Sequence, residues 1–217
     1  NFLYNQNDFF TKISDNTWTW KSNLGKELIL PLLPLRGDFQ YNHAAAALQA
    51  LELIEPTILE NTKLLNNGIA NISLMGRYQK ISSDPEIIID VAHNADSAEK
   101  LMDNLNKESK KNTIAVIGVL KDKDVYSLIK PMINNVDKWY CGTINSDRGM
   151  NSDEIKARMA STINQKDIET FDSINKACSQ AIASLGKNDR LIVYGSFYTV
   201  SEFLDYYELI SNRKDII

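Results

Sequence analysis

Apolar and polar positions follow two different rhythms along the 217 residues. The first is short-period. "NTWTWKSN", Asn16 to Asn23, alternates polar and aromatic residues as a half-exposed strand does, and residues 1–35 are expected to be β-rich. "ELILPLLPL" is an apolar run punctuated by Pro31 and Pro34. Gly37 then opens "GDFQYNHAAAALQALELI", whose alanines and leucines favour a helix to about Glu55, where Pro56 stops it. "NTKLLNNGIANI" predicts a short helix ended by Gly68, and "LMGRYQKISSDPE" is polar and turn-rich.

From Ile87 the second rhythm takes over. Apolar runs of strand length, "EIIIDV", "TIAVIGVL", "VDKWYCGTI", "DIETF" and "RLIVYGSF", alternate with helical patterns near 95–107, 123–134, 151–163, 172–185 and 198–210. That alternation predicts βαβ units, with a parallel sheet covered by helices on both faces. The fold class is therefore α/β, Rossmann-like, with a boundary between the two rhythms near residues 72–80.

Bulk properties narrow the reading. Hydrophobic residues make up 43% and charged residues 24%, enough for a normal core. The net charge of -4, from 24 basic and 28 acidic residues, offers no basic field for nucleic acid, although local cations or backbone amides can still bind an anion. Cys141 and Cys178 are far apart, without a CxxC, and read as buried free thiols in a reducing compartment. No apolar run has the length of a membrane span. The start, "NFLYNQNDFF", lacks both the character of a signal peptide and an initiator Met, so the chain is expected to be a piece of a longer protein.

Candidate chemistry collects where strands end, which is where open α/β sheets bind ligands. The first strand of the second part runs into Asp90, Val91, Ala92, His93 and Asn94. Others run into "GVLKDKDV", "GTINSDRGMNSDE" and "YGSFYTV". Taken singly, each has a bland reading: Asn94 or Asp96 caps a helix, Ser152 or Asp153 caps another, and Gly195 permits a tight turn. Taken together they have the composition of a polar site at one sheet edge. Arg77, after Gly76, is either a surface turn residue or a guanidinium offered to phosphate or carboxylate. His43 is either a first-turn residue or a polar group at a helix N-terminus suited to a nucleotide. No GxxxxGK[ST], GxGxxG, HExxH, GxSxG or Cys/His cluster occurs.

The segments "LPLLPLRGDFQYNHAAAALQALELI", "GRYQ", "IIIDVAHNADSAEKL", "GVLKDKDV", "SDRGMNSDEI" and "YGSFYTVSEFL", in that order, resemble the C-terminal half of the folylpolyglutamate and dihydrofolate synthase family of the Mur ligase superfamily. The Asp-x-Ala-His element also occurs in the peptidoglycan branch; the DKD turn and the terminal GSF point to the folate branch.

The resemblance implies an ATP- and Mg2+-dependent ligase joining L-glutamate to dihydropteroate or folates through an acyl phosphate. It implies a monomer in the cytoplasm, free of nucleic acid and membrane. Residues 1–72 would be the C-terminal remnant of a central P-loop ATPase domain, and residues 73–217 the Rossmann-like glutamate ligase domain. The P-loop and the metal ligands would lie upstream, leaving the chain inactive alone.

By the same resemblance His93 is catalytic, near the γ-phosphate and the incoming glutamate. Arg77, Asp90, Val91, Ala92, His93, Asn94 and His43 contact the nucleotide, with Asp90 at the ribose. Ser196 lies on the glutamate side, and Asp122, Lys123 and Asp124 shape the rim. One departure is that His43 stands at the Asn of the family's Gln-x-x-Asn-Ala pattern, with Gln40 at its Gln and Asn42 one residue early. A peptidoglycan amino-acid ligase and a non-catalytic Rossmann-like module remain as alternatives.

Overall fold

The computed structural model describes residue 3 and residues 6–214. The other residues of the β-rich stretch expected over 1–35, namely 1, 2, 4 and 5, lie outside the described residues. The chain divides into two compact units, Asn1–Leu74 and Met75–Ile217.

In the first unit, β1 (Phe9–Ile13), β2 (Thr17–Ser22) and β3 (Glu27–Pro31) form an antiparallel meander. The alternation in "TWTWKS" places Trp18 and Trp20 inward, opposite Leu30 and Leu28. Helices α1 (Phe39–Ile54) and α2 (Thr62–Ala70) cover that face, and Trp18 meets Tyr41 edge to face at 5.5 Å. Gly68 does not end α2. The helix runs two residues further, through the buried Ile69 to Ala70, and Asn71 closes it.

In the second unit the strands are β4 (Gln79–Ser83), β5 (Glu86–Ile89), β6 (Thr113–Ile117), β7 (Lys138–Gly142), β8 (Ile168–Phe171) and β9 (Arg190–Tyr194). They form one sheet in the order β4-β5-β9-β6-β7-β8. Every pairing is parallel except β4 with β5. The turn-rich segment "LMGRYQKISSDPE" therefore contains a strand, which its polar residues conceal because it lies at the sheet edge. A register shift between Lys80 and Ser82 interrupts its ladder.

Helices α3 (Ala95–Leu105), α4 (Val125–Ile129) and α5 (Ser152–Met159) pack on one face, against Ile88, Ala115, Ile117, Cys141 and Ile192. Helices α6 (Ile174–Ser184) and α7 (Phe197–Lys214) pack on the other, against Ile87, Ile89, Val116, Tyr140 and Val193. Adjacent strand residues thus feed opposite layers, which is why these strands read as unbroken apolar runs.

Helix α4 is shorter than the pattern over 123–134, because Pro131 cannot donate a helical hydrogen bond and the chain tightens into a 3-10 turn at Lys130–Met132. Helix α5 is likewise shorter than its pattern, and α7 is longer. Both cysteines are buried and free, and burial pushes the Cys141 thiol up to about 12. Among the described residues no helix is long and apolar enough to cross a membrane.

At the amino-terminal ends of β5 and β9 sits a buried ion pair. Arg190 Nε donates to Glu86 Oε2 at 2.6 Å, and Lys80 Nζ lies 2.6 Å from Oε1. Lys111 approaches to 3.4 Å. Burial works to raise the pKa of Glu86, but the hydrogen bonds from Lys80 and Arg190 outweigh it and hold the pKa at about 2, below its ordinary 4.5. A depressed folded-state pKa contributes stability above the unfolded value, and that contribution is lost as pH falls from about 4.5 through about 2. Glu86→Gln leaves three cations around a neutral amide. The expected loss is about 3 kcal/mol in urea unfolding at neutral pH, together with a flatter acid limb. A loss below about 1 kcal/mol would remove the pair from the list of stabilising contacts.

Candidate active site at the carboxyl edge of the sheet

Three chain segments meet beyond the carboxyl ends of β5, β9 and β6, and glycines decide how closely. Gly195 follows β9 with φ +114, a conformation L side chains rarely adopt. A Cβ there would stand 2.4 Å from the Gly118 carbonyl oxygen. Its N–H donates to Ala92 O at 3.0 Å, joining the β9 turn to the β5 loop. On the other side of β5, Gly76 has φ +69, and a Cβ there would meet Val91 Cγ1 at 2.7 Å. Val91 N–H donates to Gly76 O at 2.8 Å.

Asp90 ties two of these segments together. Its Oδ2 accepts from Tyr78 N–H at 2.8 Å and its Oδ1 from Ala92 N–H at 2.7 Å. Tyr78 itself has φ +45, which is uncommon for a bulky residue. The carboxylate bond and the burial of the ring hold it there. Burial raises the Asp90 pKa from 3.8 to about 6, against the opposing pull of the Tyr78 and Ala92 amides, Arg77 and His93.

His93 is half-buried, with Nδ1 3.0 Å from Val91 O. A carbonyl only accepts, so Nδ1 carries a hydrogen, and Nε2 is the nitrogen left for a ligand. Arg77 lies across the same rim, with its Cζ 5.9 Å from the centroid of the Phe197 ring. The His93 ring approaches that phenyl ring at 6.3 Å. Arg77 makes no ion pair among the described residues.

The structure therefore brings Arg77, Asp90, His93 and Ser196 to one border of the sheet, but assigns their side chains different tasks. Arg77 and His93 present polar groups outward. Asp90 is occupied by backbone amides. Val91 and Ala92 are buried and back the loop. Asn94 Oδ1 accepts from Ser97 N–H at 2.9 Å in a capping box for α3, so its bland reading holds. Ser196 is 2% exposed. Its Oγ accepts from Thr199 N–H at 3.1 Å and bonds Thr199 Oγ1, which donates to Gly118 O.

Helix α5 is capped by Asn151, in place of the expected Ser152 or Asp153. Asp124 caps α4. Asp122 is paired with Arg148 and Lys123, and their hydrogen bonds, Lys123's first, hold its carboxyl at about 2. His43 belongs to the first unit, exposed on α1, with Nδ1 3.3 Å from Gln40 Oε1. Phe197 is a rim residue that the sequence reading did not single out. Its signal was an aromatic directly after the Gly-Ser turn.

Among the described residues no group of His, Cys, Asp or Glu is placed to hold a metal ion. What the rim offers suits an anion: a guanidinium for phosphate or carboxylate oxygens and an imidazole beside it.

Asp90 provides a direct test of the rim. Its raised pKa means that ionisation costs stability: the favourable contribution is complete below about pH 3.8 and is lost as pH rises through about 6. Following the Asp90 carboxyl carbon by NMR should give a midpoint near 6. A midpoint at or below 4 would mean that the two amides dominate over burial.

A family model described as the Mur ligase glutamate ligase domain matches residues 76–197. The dihydrofolate synthase/folylpolyglutamate synthase of Escherichia coli (strain K12) is 32% identical over 205 residues, covering 93% of this chain and 44% of that protein. Its Haemophilus influenzae counterpart is 29% identical over 215 residues, covering 90% and 48%. Among solved structures, E. coli FolC in complex with ADP superposes with a TM-score of 0.78 at 30% identity, over 97% of this chain and 48% of that one. A bifunctional folylpolyglutamate synthase/dihydrofolate synthase with Mn, AMPPNP and L-glutamate bound gives 0.76 at 26% identity, over 94% and 47%. The chain thus spans just under half the length of the relatives it matches. With the matched model covering more than half of its residues, the chain belongs to the Mur ligase family and carries that family's glutamate ligase domain.

Proposed function

We propose that the chain is the C-terminal half of an ATP-dependent acid–amino-acid ligase that joins L-glutamate to dihydropteroate, to folates, or to both. The observation that carries this reading is the paired Arg77 and His93 on a rim locked by Asp90 at the carboxyl edge of the sheet. The names of the relatives, and the ADP, AMPPNP, Mn and L-glutamate in their structures, support it. Residues 1–72 are proposed as the C-terminal remnant of the central ATP-binding domain and residues 73–217 as the glutamate ligase domain. The phosphate-binding loop and the Mg2+ ligands then belong to the part upstream.

The residues act as follows on this reading. Arg77 binds phosphate oxygens through its planar fork. His93, oriented by Val91 O, offers Nε2 where charge develops as the substrate carboxyl becomes an acyl phosphate and the glutamate amine attacks it. Asp90 acts by fixing the two loops that carry Arg77 and His93, and the ribose contact expected of it is secondary to that role. Val91 and Ala92, whose side chains are buried in opposite layers, meet the nucleotide through their backbone, Asn94 sets the start of α3, and Ser196 frames the glutamate side through its turn. His43, on α1 of the first unit, is a separate candidate for a nucleotide contact, on the resemblance alone. The protein is proposed to work as a cytoplasmic monomer.

The test uses the full-length protein carrying this chain. Phosphate release from ATP should require both L-glutamate and dihydropteroate or a folate. His93→Ala should lower it about 10²-fold while costing only about 1 kcal/mol of stability. Turnover on UDP-muramyl peptides alone, or unchanged turnover in His93→Ala, would overturn the assignment.

A further inference from the structure

Phe197 is 59% exposed at the first position of α7. Single exposed apolar side chains are ordinary, but this one has two neighbours that are polar groups of the rim. Arg77 Cζ lies 5.9 Å from its ring centroid, and the His93 ring lies 6.3 Å away, tilted by 44°. Arg77 and His93 come from different loops, one before β4 and one after β5. Among the described residues no hydrogen bond joins their side chains to each other, and the phenyl ring is a group they share.

The backbone that carries the ring is held from behind. The Gly195 turn has no room for a Cβ. Gly195 N–H is bonded to Ala92 O, and the Ser196 and Thr199 hydroxyls anchor the start of α7 to Gly118 O. An aromatic face with a guanidinium above it attracts the cation through its quadrupole and removes rotamer freedom from a long side chain.

We propose that Phe197 is a positioning residue: its ring is a shared platform that holds Arg77 and His93 side by side at the rim. The role assigned to those two groups rests on the function proposed above; the platform itself does not.

Two measurements separate the two claims. In the 217-residue chain, 15N relaxation of the Arg77 Nε–Hε group should report greater mobility in Phe197→Leu and wild-type rigidity in Phe197→Tyr, which keeps the ring. Unchanged Arg77 mobility in Phe197→Leu would overturn the platform. In the full-length protein, Phe197→Leu should raise the KM for ATP about two- to fivefold, the worth of one exposed cation–π contact. Phe197→Tyr should restore it, and Phe197→Leu should add nothing to Arg77→Met. Additive losses would also overturn the platform. If Arg77→Met leaves ATP turnover untouched, the proposed function of the rim fails, and the relaxation measurement alone decides the platform.

Discussion

Parallel strands in a right-twisted sheet are joined almost without exception by right-handed crossovers, and this constraint determines where the second unit opens. From β5 through β6 and β7 to β8 the chain advances in one direction across the sheet, so α3, α4 and α5 fall on one face. The step from β8 back to β9 reverses direction, so α6 must cover the opposite face, and α7 joins it there. Strand β9 is thereby inserted between β5 and β6, and its outgoing loop departs to the other side from theirs. The crevice at that divergence is where the 76–78, 90–94 and 195–197 segments meet. Sheet topology sets its place, and Gly195, Asp90 and the Ser196–Thr199–Gly118 chain set its shape.

Much of this was legible in the residues. Runs such as "TIAVIGVL" carry apolar side chains on both faces, and only a doubly covered strand needs that. The polar residues after those runs lie at the carboxyl edge of the sheet. What stayed hidden depends on partners distant in sequence. β4 is polar because it lies at the edge, so no periodicity announced it. The Asp90 carboxylate faces Tyr78 N–H, twelve residues back, which no local pattern encodes. The Ser196 hydroxyl turns inward to Thr199 because the Gly195 backbone points it there. Asn151 won the cap from Ser152 and Asp153 through a single-residue shift of the helix start, the scale at which propensity arguments lose resolution.

The rim takes its order from behind. Few of its contacts join one outward-facing side chain to another. Most run from side chains to backbone or from backbone to backbone, and among the described residues neither Arg77 nor His93 is tied into an ion pair while their loops are fixed. Such an arrangement keeps the binding groups available and places their supports in buried layers that a ligand does not disturb.

The antiparallel β4 has a meaning of its own. Its outer border is a row of unpaired backbone groups, the kind of surface on which chains stack. Lys80, the serines at 82 and 83 and the interrupted ladder make that border a poor template. The neighbouring β5, with Ile87, Ile88 and Ile89 fully enclosed, would be a good one. A molecule shortened to begin after Ser83 would uncover that isoleucine strand and be prone to fibrous self-association, so β4 acts as a guard rail for the sheet behind it.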